Sequence, residues 1–179
     1  DTSGVPILYV THALDEVDRL ADTLVLIASG QVTAAGPVMA MSARTDLPVL
    51  ATRRDAGVVL PCVVEAHDQS RGLTRLGFDG GALLVPLRSA TIGTRLRLRL
   101  RARDVTVATI RPVGISSHNI LPATIEAIGP AGPHEAFVAM RVGPSPLLAR
   151  LTRDAVVTLA LAPGADVFAL VKSTVFDHG

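Results

Sequence analysis

Apolar residues come first in continuous runs and then, past residue 55, in short alternating stretches. Val5 to Val10 is an apolar run that predicts a buried strand. Leu14, Val17, Leu20 and Ala21 fall at helical spacing, with Asp15, Glu16 and Asp18 in the first turns, where the helix dipole favours acids. Residues 23–28 read as a second buried strand, Ser29-Gly30 as a turn, and residues 31–35 as a returning hairpin arm. Pro37, after Gly36, is suited to open a short helix. This is too little sheet for a complete α/β domain. Residues 1–50 are therefore expected to be the closing part of one.

The later pattern of short strands and Gly/Pro/Asp turns predicts barrels or sandwiches. It contains a weak internal repeat, the signature of a duplicated unit. Leu60-Pro61-Cys62-Val63-Val64-Glu65-Ala66 lines up with Leu121-Pro122-Ala123-Thr124-Ile125-Glu126-Ala127. Leu83 to Leu87 parallels Leu147 to Leu151. Gly93 with its strand to Val105 parallels Gly164 with its strand to Val175. The reading is two related barrels, residues 51–113 and 114–179. Barrels this small need a partner to bury enough surface, so pairing of the two, or of two chains, is expected.

Composition narrows the classes. The 179 residues are 49% hydrophobic, yet no apolar run approaches the roughly 20 residues of a membrane span. No signal-peptide pattern opens the chain, and its start at Asp1 suggests a piece of something longer. A single cysteine, Cys62, excludes an internal disulfide framework and fits reducing cytoplasm. The net charge of +1 divides unevenly: −4 over residues 1–50, +6 over 51–113 and −1 over 114–179. These shifts coincide with the three parts.

Candidate chemistry is sparse. His12 follows a predicted strand at the edge where α/β sheets bind ligands. There it can touch a phosphate, orient a water, or merely satisfy strand-end backbone. Arg95 to Arg103 alternates arginine with leucine or alanine, putting five guanidinium groups on one face. Aromatics are 3% of the chain and tryptophan is absent, which disfavours nucleic-acid binding and favours a solvated face that pairs with acids. Ser116-Ser117-His118-Asn119, Lys172-Ser173 and Thr152 offer hydroxyls, an amide and an ammonium. Together they suit a small oxyanion pocket; singly they are ordinary turn and surface residues. The histidines have no metal-site spacing, and no metal is expected. No G-x-x-x-x-G-K-[ST] loop occurs, so the isolated chain lacks the cradle that nucleotide hydrolysis needs.

Two sets of motifs resemble known families. Tyr9-Val10-Thr11-His12, Asp15-Glu16-Val17, Leu20-Ala21-Asp22, Ser29-Gly30-Gln31-Val32 and Gly36-Pro37 resemble the switch-histidine region closing an ABC-transporter ATPase domain. Arg101-Ala102-Arg103-Asp104-Val105, Ile115 to Pro122, Leu148 to Thr152 and Val171-Lys172-Ser173 resemble the molbindin-like, or TOBE, regulatory part of molybdate-transporter ATP-binding subunits. The resemblance implies a mainly β chain: two OB-like β-barrels in tandem behind a small α/β remnant of an ABC ATPase domain. It implies that His12 is the switch histidine of a longer ATPase using ATP and Mg, with Walker A and Walker B outside this chain. It implies that Ser116, His118, Asn119, Thr152, Lys172 and Ser173 lie near a molybdate or tungstate site. The partners implied are a second copy, through the barrels, and a membrane permease subunit; the location implied is cytoplasmic, peripheral at the inner face of the cell membrane. His118 departs from the family pattern, where Arg is frequent, which implies weaker, pH-dependent attraction to a dianion. The alternatives are a ligand-free structural dimerisation module and the regulatory module of a sulfate or other solute importer.

Overall fold

The structure, a computed structural model, describes residues 5–13, 16, 17, 20–42, 44 and 56–173. The chain is mainly β. Strands β1 (Thr23–Ala28) and β2 (Gln31–Pro37) form an antiparallel hairpin. Ser29 and Gly30 at its tip both have positive φ, 51° and 75°, the backbone that two-residue hairpins require. Helix α1 (Val38–Ser42) follows directly after Pro37. Its Val38 and Met41 are buried, and it packs against β3 (Gly57–Asp68).

Two curled antiparallel sheets make up the rest. The first has the order β5 (Gly81–Pro86), β4 (Leu73–Phe78), β3, β6 (Arg95–Arg101). The second has the order β10 (Ser145–Thr152), β9 (Glu135–Val142), β8 (Asn119–Pro130), β11 (Asp166–Val171), β7 (Val105–Ala108). The duplication extends to hydrogen bonds. Strand β3 shifts register between Val64 and Ala66, and β8 shifts between Ile125 and Ala127. The Val64 N–H donates to Thr94 O and the Gly93 N–H to Val64 O; the Ile125 N–H donates to Ala165 O and the Gly164 N–H to Ile125 O. Gly93 and Gly164 share φ near +87°, a region where L side chains are strained.

Alternation explains the burial. Val58, Leu60, Cys62 and Val64 of β3 point inward, as do Asn119, Leu121, Ala123 and Ile125 of β8. Both rows belong to one continuous core, apart from the polar Asn119. Full burial of each Val, Leu or Ile contributes about 1.5–3 kcal/mol. The sheets also meet at their hairpin tips. A Cβ on Gly80 would lie 2.1 Å from the Val142 carbonyl oxygen, so only glycine allows that approach.

Several expectations are corrected. Residues 5–10 form no strand, and Ile7, Leu8 and Val10 are strongly exposed; among the described residues no strand pairs with them. Strand β1 exists, but among the described residues its one sheet neighbour is β2, and it is largely exposed. Of the predicted helix, residues 16, 17 and 20 are helical, while Leu14 lies outside the described residues. The arginine strand ends at Arg101; a 3-10 turn (Ala102–Asp104) turns the chain into β7. Strand β7 then pairs with β11 in the second sheet, so the first repeat lends a strand to the second. Val175 lies outside the described residues. Helix α2 (Arg153–Thr158) was not foreseen.

Candidate functional site

The start of β8 and the end of β11 lie side by side, because Asn119 pairs with Val171. This register brings the segment before β8 beside the segment after β11. Asn119, 3% exposed, forms the floor. Its Oδ1 accepts from the Leu84 N–H at 2.7 Å, and its Nδ2 donates to Leu84 O at 3.0 Å and Val171 O at 3.1 Å. The side chain thus imitates a β-bridge to the edge strand β5. Burying an amide is costly unless it is bonded, and here both N–H groups are used. Ser117, whose role the sequence reading left generic, donates its hydroxyl to Val171 O at 2.9 Å.

Above this floor the Ser173 hydroxyl lies 3.4 Å from His118 Nδ1, with Ser173 buried and His118 exposed. Lys172, between Val171 and Ser173, is exposed, as is Ser116. An imidazole and a hydroxyl thus stand side by side at this end of the sheet, with the exposed Ser116 and Lys172 adjacent in sequence. Such donors suit an acceptor-only anion, because charge-assisted hydrogen bonds are the stronger ones.

Thr152 is elsewhere. It pairs with Glu135 at the Pro130 end of the second sheet, at the opposite end of β8 from Asn119. Its hydroxyl accepts from the Ala155 N–H at 3.1 Å and caps α2. Thr-Arg-Asp-Ala reads as a helix start, with Thr as N-cap and an acid in the first turn; that local signal was available.

His12 sits exposed on the N-terminal segment. Its neighbour Thr11 donates to Glu16 Oε2 at 2.7 Å, Tyr9 donates to the same oxygen at 3.0 Å, and the Ala13 N–H donates to Thr11 Oγ1 at 3.0 Å. The Thr11 hydroxyl, then the Tyr9 hydroxyl, hold the Glu16 carboxyl below its ordinary pKa. The bond to Glu16 in turn raises the Tyr9 phenol. Among the described residues, no cluster of three or more His, Cys, Asp or Glu side chains is arranged to hold a metal. No described helix is long and apolar enough to cross a membrane.

The arginine strand behaves as a paired face. Arg97 donates from Nη1 to the Ala21 carbonyl at 2.9 Å and pairs through Nη2 with the Asp22 carboxylate. The acid comes from the N-terminal segment rather than from a neighbouring strand.

Residues 115–175, which hold strands β8 to β11 of this second sheet, match the TOBE domain. A structure of the cytoplasmic molybdate-binding protein ModG with molybdate bound superposes with a TM-score of 0.54 at 24% identity, covering 64% of this chain and 89% of that one; this likeness supports the OB-like fold. The closer family is visible in the sequences. The chain is 48% identical over 168 residues to the molybdenum import ATP-binding protein ModC of Albidiferax ferrireducens, covering 94% of this chain and 45% of the relative. It is 45% identical over 174 residues to ModC 1 of Azotobacter vinelandii, covering 97% and 48%. The chain is thus a homologue of the molybdenum import ATP-binding proteins, corresponds to their C-terminal part, and spans about half the length of the relatives it matches.

Proposed function

We propose that this chain is the regulatory, dimerising C-terminal part of the ATP-binding subunit of a molybdate importer. In this reading the second barrel takes up cytoplasmic molybdate or tungstate, and occupancy inhibits transport. The observation that carries it is the His118–Ser173 pair beside Lys172, held over the saturated Asn119 floor. Ser116, His118, Lys172 and Ser173 contact the anion; Asn119 and Ser117 position them; Thr152 caps a helix instead. Inhibition requires that the anion bind the resting arrangement more tightly than the working one.

The remaining assignments follow the same homology. Residues 1–50 close an ABC ATPase domain, 51–113 make the first barrel and 114–179 the second. His12 is the switch histidine of the longer subunit, which binds ATP and Mg, hydrolyses ATP and works against a membrane permease. The subunit would therefore sit at the inner face of the cell membrane. The exposed Ile110, Val113 and Ile115 in the segment before β8 support dimerisation through the barrels, since apolar patches on a surface mark contacts.

The test is calorimetric titration of the chain with molybdate, with sulfate as control, at pH 6 and pH 8. Saturable binding selective for molybdate is expected at both pH values. No heat from either anion in a folded chain contradicts the reading. One observation favours a second reading, a ligand-free dimerisation module: both Asn119 N–H groups serve the fold, not an empty pocket.

A further inference from the structure

We propose that Arg97 is the positioning residue that holds the His12-bearing segment on the first barrel and relays the state of the barrels to it. The relay rests on the function proposed above; the clasp itself rests on geometry alone. Arg97 lies on β6, opposite Pro61 of β3. Its guanidinium forks onto the N-terminal segment, one N–H to the Ala21 carbonyl and another to the Asp22 carboxylate. Such a fork fixes direction as well as distance, which an ammonium does not.

From this clasp a short ladder of hydrogen bonds leads to His12. The Ala21 N–H donates to Val17 O at 2.9 Å, one helical turn back. Glu16, next to Val17, accepts from the Thr11 and Tyr9 hydroxyls that flank His12. On the other side, β6 runs through the 3-10 turn into β7. Strand β7 pairs with β11 through Val105 and Val171, and Lys172 and Ser173 follow immediately. The anion rim and the His12 loop are therefore ends of one bonded path, with Arg97 at the crossing.

A second attachment exists, but it is of another kind. Helix α1 packs on β3 with Val38 and Met41 buried, and the Val38 N–H donates to Asp22 O at 3.0 Å. The Val38 bond ties Asp22 to helix α1, whereas the Arg97 fork ties it to strand β6 of the barrel. The Arg97–Asp22 pair is exposed, and exposed pairs add little stability. Its role is thus orientation rather than anchorage.

The clasp is tested by hydrogen exchange of this chain, resolved at single amides. In Arg97→Gln the Ala21 amide should exchange at least about fivefold faster, while the Val64 and Ile125 amides, bonded within the barrels, keep their rates. Arg97→Lys, which retains charge but not the fork, should give an intermediate rate. Unchanged Ala21 exchange in Arg97→Gln overturns the clasp. If Arg97→Gln also loosens the barrels, Asp22→Asn decides: faster Ala21 exchange supports the clasp and an unchanged rate overturns it. The relay is tested in the longer ATP-binding subunit. Arg97→Gln should keep molybdate affinity but lose inhibition of its own ATP hydrolysis by molybdate; full inhibition overturns the relay. A wild-type ATPase indifferent to molybdate refutes the regulatory reading instead, and the clasp is then judged by exchange.

Discussion

The two barrels share a framework and differ in the polarity of one inward residue. Register shift, glycine turn and strand-closing hydrogen bonds recur in both. Along the inward rows, Leu60 answers Leu121, Cys62 answers Ala123, Val64 answers Ile125, and Val58 answers Asn119. Following β6 and β11, Arg101-Ala102 stands where the second repeat has Lys172-Ser173. A duplicated scaffold therefore carries unduplicated chemistry. The first barrel is apolar at the position where the second has an amide bonded three times to backbone. That amide ties Leu84 to Val171, two residues before Ser173, which meets His118.

The comparison breaks most sharply by exchanging the two inward residues. Asn119→Val leaves the Leu84 N–H and C=O without their partner, and a buried unsatisfied group costs about 1–3 kcal/mol. Urea denaturation should show a loss of about 3 kcal/mol. Val58→Asn should lose about 2 kcal/mol or more, because no backbone bridge is in place to receive the amide. Equal tolerance of both exchanges would make the two sites equivalent after all.

Thiol labelling asks whether the barrels open together. Burial pushes the Cys62 thiol up to about 12, and the thiolate is the reactive form. Native Cys62 should react with a maleimide at least ~100-fold more slowly at pH 8 than in urea. With Cys62→Ser as background, Ala123→Cys reports on the second barrel. Because the rows share one core, the two protections should agree within about threefold. Strongly unequal rates would mean two cores.

The rims differ more mildly. Lys172→Ala should weaken molybdate binding about tenfold, roughly 1.4 kcal/mol, whereas Arg101→Ala should leave it unchanged. The smallest effect lies outside the barrels. The Thr11 and Tyr9 hydroxyls hold the Glu16 carboxyl below its ordinary range, so its contribution to stability is present above that range. It is lost as pH falls through the lowered folded value. Thr11→Ala with Tyr9→Phe should flatten this part of the acid titration, read from the Glu16 carboxyl resonance.

Much of this was legible in the sequence. The repeat, the hairpin at Ser29-Gly30, helix α1 and the inward face of the arginine strand follow from period-2 alternation and turn chemistry, which are local. What was not legible depends on partners distant in sequence. Residues 5–10 look like a buried strand because apolar runs carry no sign of which neighbour covers them. Strand β7 joins the second sheet because the 3-10 turn at Ala102–Asp104 redirects the chain, and alternation does not encode that. Asn119, His118 and Ser173 meet around the β8–β11 register, and Ser116 and Lys172 are their neighbours in sequence. The bonds of Asn119 were hidden, since Leu84 lies 35 residues away in sequence. Thr152 was drawn in by its hydroxyl, although its local sequence reads as a cap.

The central claim is that one barrel of the two carries the oxyanion site. Equilibrium dialysis of the chain against labelled molybdate, with binding counted per chain, tests it most directly. The account predicts one molybdate per chain, abolished or strongly weakened by Lys172→Ala. Two per chain, or one that survives Lys172→Ala but not Arg101→Ala, would contradict it.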